Sequence, residues 1–292
     1  MWREDRFIAF SQNFISDPRL VKRLLKQSDI SFSDTVIDIG AGTGIITQEL
    51  SKVCGKVFAI EIDTDLFKKL TARTELNVTA IHQNILDWRV PVSDYKVFAN
   101  IPFNYTSRIM RKLYFLEHPP TSAYLIMQRE AANMYSGYPR ETQKSLLLKP
   151  CFNIKILHKF QKTDFCPKPA VEIFMLNITK LKNPLLRRCE LPEYFDFVVY
   201  GTTRYKKTLK KSLSKIFTHE QFKRLSNNLG FPLDAKPLDL TFRQWVELYK
   251  YFKTGVESKK RLLVHSAYTR QKIQQNRLKK VYRKNMTHSK LF

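Results

Sequence analysis

Two short segments carry residue types at spacings that could do chemistry. They are Asp38-Ile39-Gly40-Ala41-Gly42-Thr43-Gly44 and, about sixty residues on, Asn100-Ile101-Pro102-Phe103. Glycines at i, i+2 and i+4 let a backbone pass a ligand with no side chain between them. A dinucleotide fingerprint spaces them i, i+2 and i+5 and seats a pyrophosphate on the helix that follows. Here the third glycine, Gly44, comes one residue early, and Asp38 stands just before the turn. That carboxylate repels a pyrophosphate and suits the cationic amino-acid end of S-adenosylmethionine. Glu61, in Ala59-Ile60-Glu61-Ile62-Asp63, is an acid at the spacing where both ribose hydroxyls can be accepted. The competing reading is a plain α/β protein with a glycine-rich turn, and Glu61 weighs against it.

The second segment fits an adenine base. The exocyclic amine of adenine is a poor nucleophile because its lone pair is delocalised into the ring. The side-chain oxygen of Asn100 and the carbonyl of Ile101 could take its two hydrogens and favour a pyramidal nitrogen. Pro102 would fix the backbone that aims that carbonyl. Phe103 offers a ring on which a flipped base can stack, offsetting part of the unstacking cost. Catalysis of this kind is mainly positioning and electrostatics. A strand-ending turn that merely uses proline is the alternative, and it weakens beside the first segment.

The elements that must position these residues follow from hydrophobic patterning. Strand-like runs span Thr35 to Ile39, Lys56 to Ile62, Val78 to His82, Tyr95 to Ala99, Ala123 to Gln128, Ile154 to Gln161 and Val171 to Thr179. Near-continuous apolar stretches such as Val57-Phe58-Ala59-Ile60 predict strands buried on both faces of a helix-covered parallel sheet. Pro167-Lys168-Pro169 separates the last two runs without a helix, so an antiparallel pair is expected there. The fold class is therefore α/β, a Rossmann-like sheet of seven mostly parallel strands. In such sheets ligands sit at the carboxyl ends of the strands, so both segments should face one crevice. Asn183-Pro184 is a breaker pair and an expected hinge. Beyond it helices are predicted over Tyr194 to Phe217, His219 to Leu229 and Thr241 to Phe252, with Thr241 as N-cap. The expected domains are residues 1–182, a helical domain 183–255, and a flexible basic tail 256–292.

The formal net charge of +25 is far beyond what solubility requires and points to a polyanionic partner, nucleic acid before an anionic membrane. No apolar run is long enough to span a bilayer. Met1 to Phe7 mixes both charge signs, so secretion is not expected and a cytoplasmic location is. Cys54, Cys151, Cys166 and Cys189 show no metal-ligand spacing, which predicts free thiols and no metal. Arg204, Lys206, Lys207, Lys210 and Lys211 cluster in one helical stretch, and Arg108, Arg111 and Lys112 follow the second segment. Contact with phosphates is the favoured reading of the first group; an ordinary solvated face competes evenly for the second.

In order, Ser11-Gln12-Asn13-Phe14-Ile15, the glycine turn, Ala59 to Asp63, Asn84-Ile85-Leu86, Asn100 to Phe103 and Phe165-Cys166-Pro167-Lys168-Pro169 resemble the rRNA adenine N6-dimethyltransferases, and among them the Erm-type 23S rRNA enzymes. The resemblance implies a class I methyltransferase. It implies that Asn13, Ile15, Asp38, Gly40, Gly42, Gly44, Glu61, Asn84, Ile85 and Asn100 line the S-adenosylmethionine pocket, and that Phe103 and Phe165 hold the target adenine. It further implies a monomer that methylates, once or twice, one adenine of the 23S peptidyl transferase region, blocking macrolide, lincosamide and streptogramin B antibiotics. The family usually has Asp where this chain has Asn84, whose side-chain carbonyl is expected to serve as acceptor. A 16S rRNA dimethyltransferase, or a non-catalytic RNA-binding or transcription factor on the same scaffold, are the other readings.

Overall fold

A computed structural model describes residues 13–73, 75–115, 118–203, 208–275 and 277. Backbone contacts divide the chain into two compact units. The first runs to Ser136 and includes Cys151–Asn183; the second comprises Gly137–Pro150 and the chain from Pro184. The short stretch Gly137–Pro150, read from sequence as part of the first domain, thus packs with the helices of the second.

In the first unit, seven strands form one sheet: β2 (Thr35–Ile39), β3 (Lys56–Glu61), β4 (Val78–His82), β5 (Lys96–Asn100), β6 (Ser122–Gln128), β7 (Phe152–Lys159) and β9 (Ile173–Lys180). Their order is β4-β3-β2-β5-β6-β9-β7. The first five are parallel; β9 lies antiparallel between β6 and β7, as expected for the pair around Pro167 to Pro169. The central strands are apolar on both faces because both are covered: Val36, Ile37, Ile39, Val97, Phe98 and Ala99 are fully buried. β2 is where the chain's progress reverses, with β3 and β4 on one side and β5 and β6 on the other, so the crevice opens above the ends of β2 and β5.

A two-stranded sheet that periodicity does not predict joins β1 (Phe14–Ile15) to β8 (Phe165–Cys166), with Ile15 opposite Phe165. Around the sheet lie α1 (Pro18–Leu25), α2 (Ile45–Ser51), α3 (Thr64–Thr71), α4 (Thr106–Tyr114) and α5 (Arg129–Ser136). α1 starts on Asp17, whose carboxylate accepts the Arg19 N–H, and buries Leu20, Val21, Leu24 and Leu25 along one face.

The second unit is helical: α6 (Gln143–Leu148), α7 (Leu191–Thr203), α8 (Leu209–Leu213), α9 (His219–Leu229), α10 (Phe242–Gly255) and α11 (Ser258–Arg261). The single helix read over Tyr194 to Phe217 is instead α7 and α8. Thr202 and Thr203 turn their hydroxyls back onto the Val198 and Val199 carbonyls, and Thr208 caps a new start by accepting the Lys211 N–H. Thr241 does cap α10, in a reciprocal box with Gln244. Trp245 is fully buried and donates its indole N–H to the Pro237 carbonyl at 3.0 Å. A Cβ at Gly201 would lie 2.7 Å from the Trp245 ring, so α7 and α10 can approach this closely only with glycine there. Among the described residues no helix is long and apolar enough to cross a membrane.

Candidate active site

The crevice begins where β2 delivers the chain into the glycine turn. Gly40, Gly42 and Gly44 have φ of +70°, +59° and +88°, which L side chains rarely adopt. Gly40 and Ala41 donate their N–H groups to the Ile60 carbonyl, tying the turn to β3. A Cβ on Gly42 would sit 2.7 Å from the Phe14 ring, and one on Gly40 would touch Pro102 at 3.4 Å. The turn is therefore pressed between Phe14 and the Asn-Ile-Pro-Phe segment, and the two halves expected to share a crevice do so.

Glu61 closes β3 and is almost completely buried. Its Oε2 accepts the Gly42 N–H at 2.8 Å; its Oε1 accepts the Ile62 and Asp63 N–H groups, both at 2.8 Å. A carboxylate has about four acceptor sites, so about one remains, on Oε2. Read from sequence as the acceptor of both ribose hydroxyls, Glu61 has another task as well: it holds the glycine turn against β3.

Asp38, read as the partner of a cationic group, is fully enclosed. Its Oδ2 accepts the Thr47 hydroxyl at 2.7 Å, clasping the turn to α2, while Oδ1 is buried without a hydrogen-bond partner among the described residues. Burial, with some help from the Glu61 charge and against the Thr47 hydrogen bond, pushes its carboxyl up to about 7. A folded-state pKa above the unfolded one means the folded chain holds the extra proton. The stability this brings is present at low pH and is lost as pH rises from about 4 to about 7. Asp38→Asn keeps an acceptor for Thr47 and cannot ionise. Its melting temperature, followed against the parent's, is expected to gain on it steadily over that interval; parallel curves would mean that Asp38 is not titrating there.

A slot beside the turn is lined by Ile39, Ile62, Asn84, Ile85, Pro102 and Ile109, apolar walls with a polar edge, the character of a site for a flat heterocycle. Tyr105 and Gln83 also line it. Neither is legible in the sequence, since Tyr105 follows the Phe103 motif with no spacing signal of its own. The Asn84 side-chain carbonyl, expected to face a ligand, accepts the Leu86 N–H at 3.0 Å, so one of its two lone pairs is already used. Lys112, for which a phosphate contact and a solvated face compete evenly in the sequence, is half-buried and donates to the Leu86 carbonyl at 3.3 Å, near Asp87. Burial lowers its pKa, and its place is behind the Asn84 loop.

On the other side of Gly40, a second pocket is lined by Asn13, Phe14, Asn100, Ile101, Pro102 and Phe103. Asn100 ends β5, and its Nδ2 donates to the Asn13 carbonyl at 2.6 Å. This fixes the amide, so that the acceptor Oδ1 is the atom left for a ligand. Pro102, at φ −59°, leads into a short 3₁₀ turn, Phe103–Tyr105, and Phe103 is half-buried there. Phe165 does not present a ring to this pocket. It is 2% exposed, packed against Phe160 with centroids 5.2 Å apart, and paired through β8 to Ile15, itself a buried core residue. Its contribution is to seat β1, and so the Asn13 carbonyl that orients Asn100.

Arg108 and Arg111 are exposed on α4, Arg108 over the Tyr105 ring at 5.2 Å. Lys210 and Lys211 lie on α8 of the second unit, Lys211 exposed. Arg204, Lys206 and Lys207 lie outside the described residues, as do Ser11 and Gln12.

The turn, the slot and the orphaned Asp38 oxygen fit an adenosine-bearing group with a cationic end, the chemistry of S-adenosylmethionine. Comparison with known proteins gives the same direction. Residues 6–254 match the family described as ribosomal RNA adenine dimethylase. A Bacillus licheniformis protein named rRNA adenine N-6-methyltransferase is 29% identical over 243 residues, 82% of this chain and 84% of the relative. One of the same name from Enterococcus faecalis is 30% identical over 224 residues, covering 74% and 84%. Among solved structures, 23S rRNA methyltransferase ErmE superposes with a TM-score of 0.75 at 22% identity, covering 83% of this chain and all of that one. A dimethyladenosine transferase from Plasmodium falciparum gives 0.66 at 19%, covering 83% and 98%. At these identities the two structures speak for the fold, a Rossmann-like methyltransferase.

Proposed function

The chain belongs to the ribosomal RNA adenine dimethylase family, an rRNA adenine N6-methyltransferase, and on that premise we propose that its target is one adenine in the peptidyl transferase region of 23S rRNA, methylated at N6 by the chain acting as a monomer before the ribosome is fully assembled. The consequence is resistance to macrolide, lincosamide and streptogramin B antibiotics. The observation that carries the chemistry is the Asn100 amide held by the Asn13 carbonyl at 2.6 Å.

S-adenosylmethionine, when bound, supplies a methyl group on a positively charged sulfur. Asp38, Gly40, Gly42 and Glu61 would hold its amino-acid and ribose portions, and Asn84 with Ile85 its adenine. The rest is done by the chain's own groups on the target base. With its nitrogen tied back, Asn100 offers Oδ1 to one amine hydrogen, and the Ile101 carbonyl offers itself to the other. Two acceptors in this geometry favour a pyramidal N6 with its lone pair freed from the ring. Pro102 keeps the carbonyl from turning away, and the Phe103 ring receives the flipped base. Once N6 is alkylated its proton is acidic and leaves to water, so no strong base is called for. This is rate acceleration by preorganised dipoles at fixed positions.

Choice of rRNA is the finer part of the reading. It is supported by Ile101 and by the Pro-Lys-Pro run after Cys166, which resemble the Erm-type enzymes, where the 16S enzymes tend to read Asn-Leu-Pro-Tyr at the target segment. Tritiated methyl incorporation into protein-free 23S rRNA, compared with assembling small subunits, tests it, together with macrolide susceptibility of a bacterium expressing the gene. Label in 23S rRNA and resistance are expected; label confined to 16S rRNA with no resistance would replace the target with a small-subunit one.

A further inference from the structure

The family match ends at residue 254, yet the described chain continues to residue 275 without a break. From Val256 to Phe292 the sequence carries eleven Lys or Arg and one acid, Glu257. A segment so composed is expected to stay unfolded by self-repulsion, and the sequence reads as a flexible tail. Its first half is instead built onto the helical unit. Both carboxylate oxygens of Asp196, on α7, accept backbone N–H groups of the extension, from Ser266 at 2.7 Å and Tyr268 at 2.9 Å. The Tyr268 ring packs edge-on to Phe195 at 5.4 Å, and Val256, Val264 and Ala267 are buried. Arg261 is spent on this anchoring, through the Lys253 carbonyl and the Ser258 hydroxyl. Lys272 sits over the Tyr268 ring at 3.9 Å, whereas Lys259 and Arg270 are exposed and Lys260 is half-exposed.

We propose that this anchored extension, beyond the residues matched by the family, is an RNA-docking surface, its outward cations taking backbone phosphates of the rRNA substrate. The inference rests on the rRNA reading given above. A fold that fixes a run of like charges in place, where repulsion would otherwise disperse it, has an ordered array for a polyanion. RNA is favoured over a lipid surface because the family's substrate is RNA. Phosphate contacts of this kind add affinity without sequence preference and make it steeply dependent on salt.

The full chain carrying Lys259→Gln, Lys260→Gln and Arg270→Gln, which leaves every buried side chain and Asp196 in place, is compared with the parent. The binding constant for a 23S rRNA fragment is measured against salt concentration, alongside S-adenosylmethionine affinity and methyl transfer at saturating RNA. Three lost phosphate contacts are expected to flatten the log–log salt slope by about 2 to 3, with weaker RNA binding at every salt concentration. Cofactor affinity and the saturated rate should stay at the parent's values. An unchanged slope and RNA affinity would overturn the proposal, leaving the extension as a brace. So would loss of binding to phosphatidylserine vesicles with RNA binding intact. Absence of methyl transfer by the unaltered protein would sink the substrate reading, a result distinct from either.

Discussion

Asn100→Ala is expected to lower methyl transfer to rRNA by about 10²- to 10³-fold, the range seen when one preorganised polar group is removed from a developing charge. The loss should fall on kcat, with S-adenosylmethionine affinity reduced only a few-fold, because the glycine turn and the slot at Asn84 are untouched. Asn100→Asp is the sharper variant. It retains an acceptor for the amine but cannot donate to the Asn13 carbonyl, and a carboxylate 2.6 Å from a carbonyl oxygen is repelled from it. If the tether to Asn13 is what aims Oδ1, aspartate should rescue little of the rate. Single-turnover incorporation of tritiated methyl from pre-bound cofactor separates the chemical step from binding. Parent-like turnover by the alanine variant would remove Asn100 from the mechanism; parent-like turnover by the aspartate variant alone would remove the tether.

How far the sequence carries the argument differs from element to element, for physical reasons. β2 and β4 end where apolar patterning ends, because strands buried on both faces, or flanked by turn residues, leave an unambiguous local signal. The glycine turn and Asn100 to Phe103 are legible because backbone conformation and acceptor geometry restrict the residue types allowed. The pairing of β1 with β8 is invisible: two-residue strands have no period, and the contact of Ile15 with Phe165 closes a very long loop. Phe165, which the resemblance makes a base platform, is packed in the core against Phe160 and through β8 seats Ile15 beside Asn13. Lys112, for which phosphate contact and a solvated face compete evenly in the sequence, has a partner that the sequence does not show for a related reason. A cation on a helix beside a nucleic-acid site looks like a phosphate contact until the carbonyl it serves, Leu86, is brought near by the sheet. The extension after Val256 escapes prediction because its anchor, Asp196, lies on another helix and acts through backbone groups, which leave no trace in composition.

Glu61 concentrates both halves of the cofactor problem in one side chain, and substitutions there are expected to show the second large effect. Three backbone N–H groups, from Gly42, Ile62 and Asp63, converge on its almost completely buried carboxylate. Glutamine preserves the shape but replaces one oxygen with a donor. Whichever way the amide turns, at least one backbone N–H then faces an NH₂ group, and a buried donor left unmatched costs about 1–3 kcal/mol. In a chain of this size that lowers Tm by about 2–4 °C per kcal/mol, hence by about 2–12 °C in all. Glu61→Ala, which strands all three donors, should fall further. Calorimetric titration with S-adenosylmethionine should show weakened binding in both variants, since the Gly42 turn is no longer held to β3. The two readouts separate the roles. Weak binding with an unchanged Tm would make Glu61 a ligand to the ribose alone. A lowered Tm with parent-like affinity would make it a clamp alone. Both changes together follow from a carboxylate that spends three of about four acceptor sites on the turn and has about one left to offer.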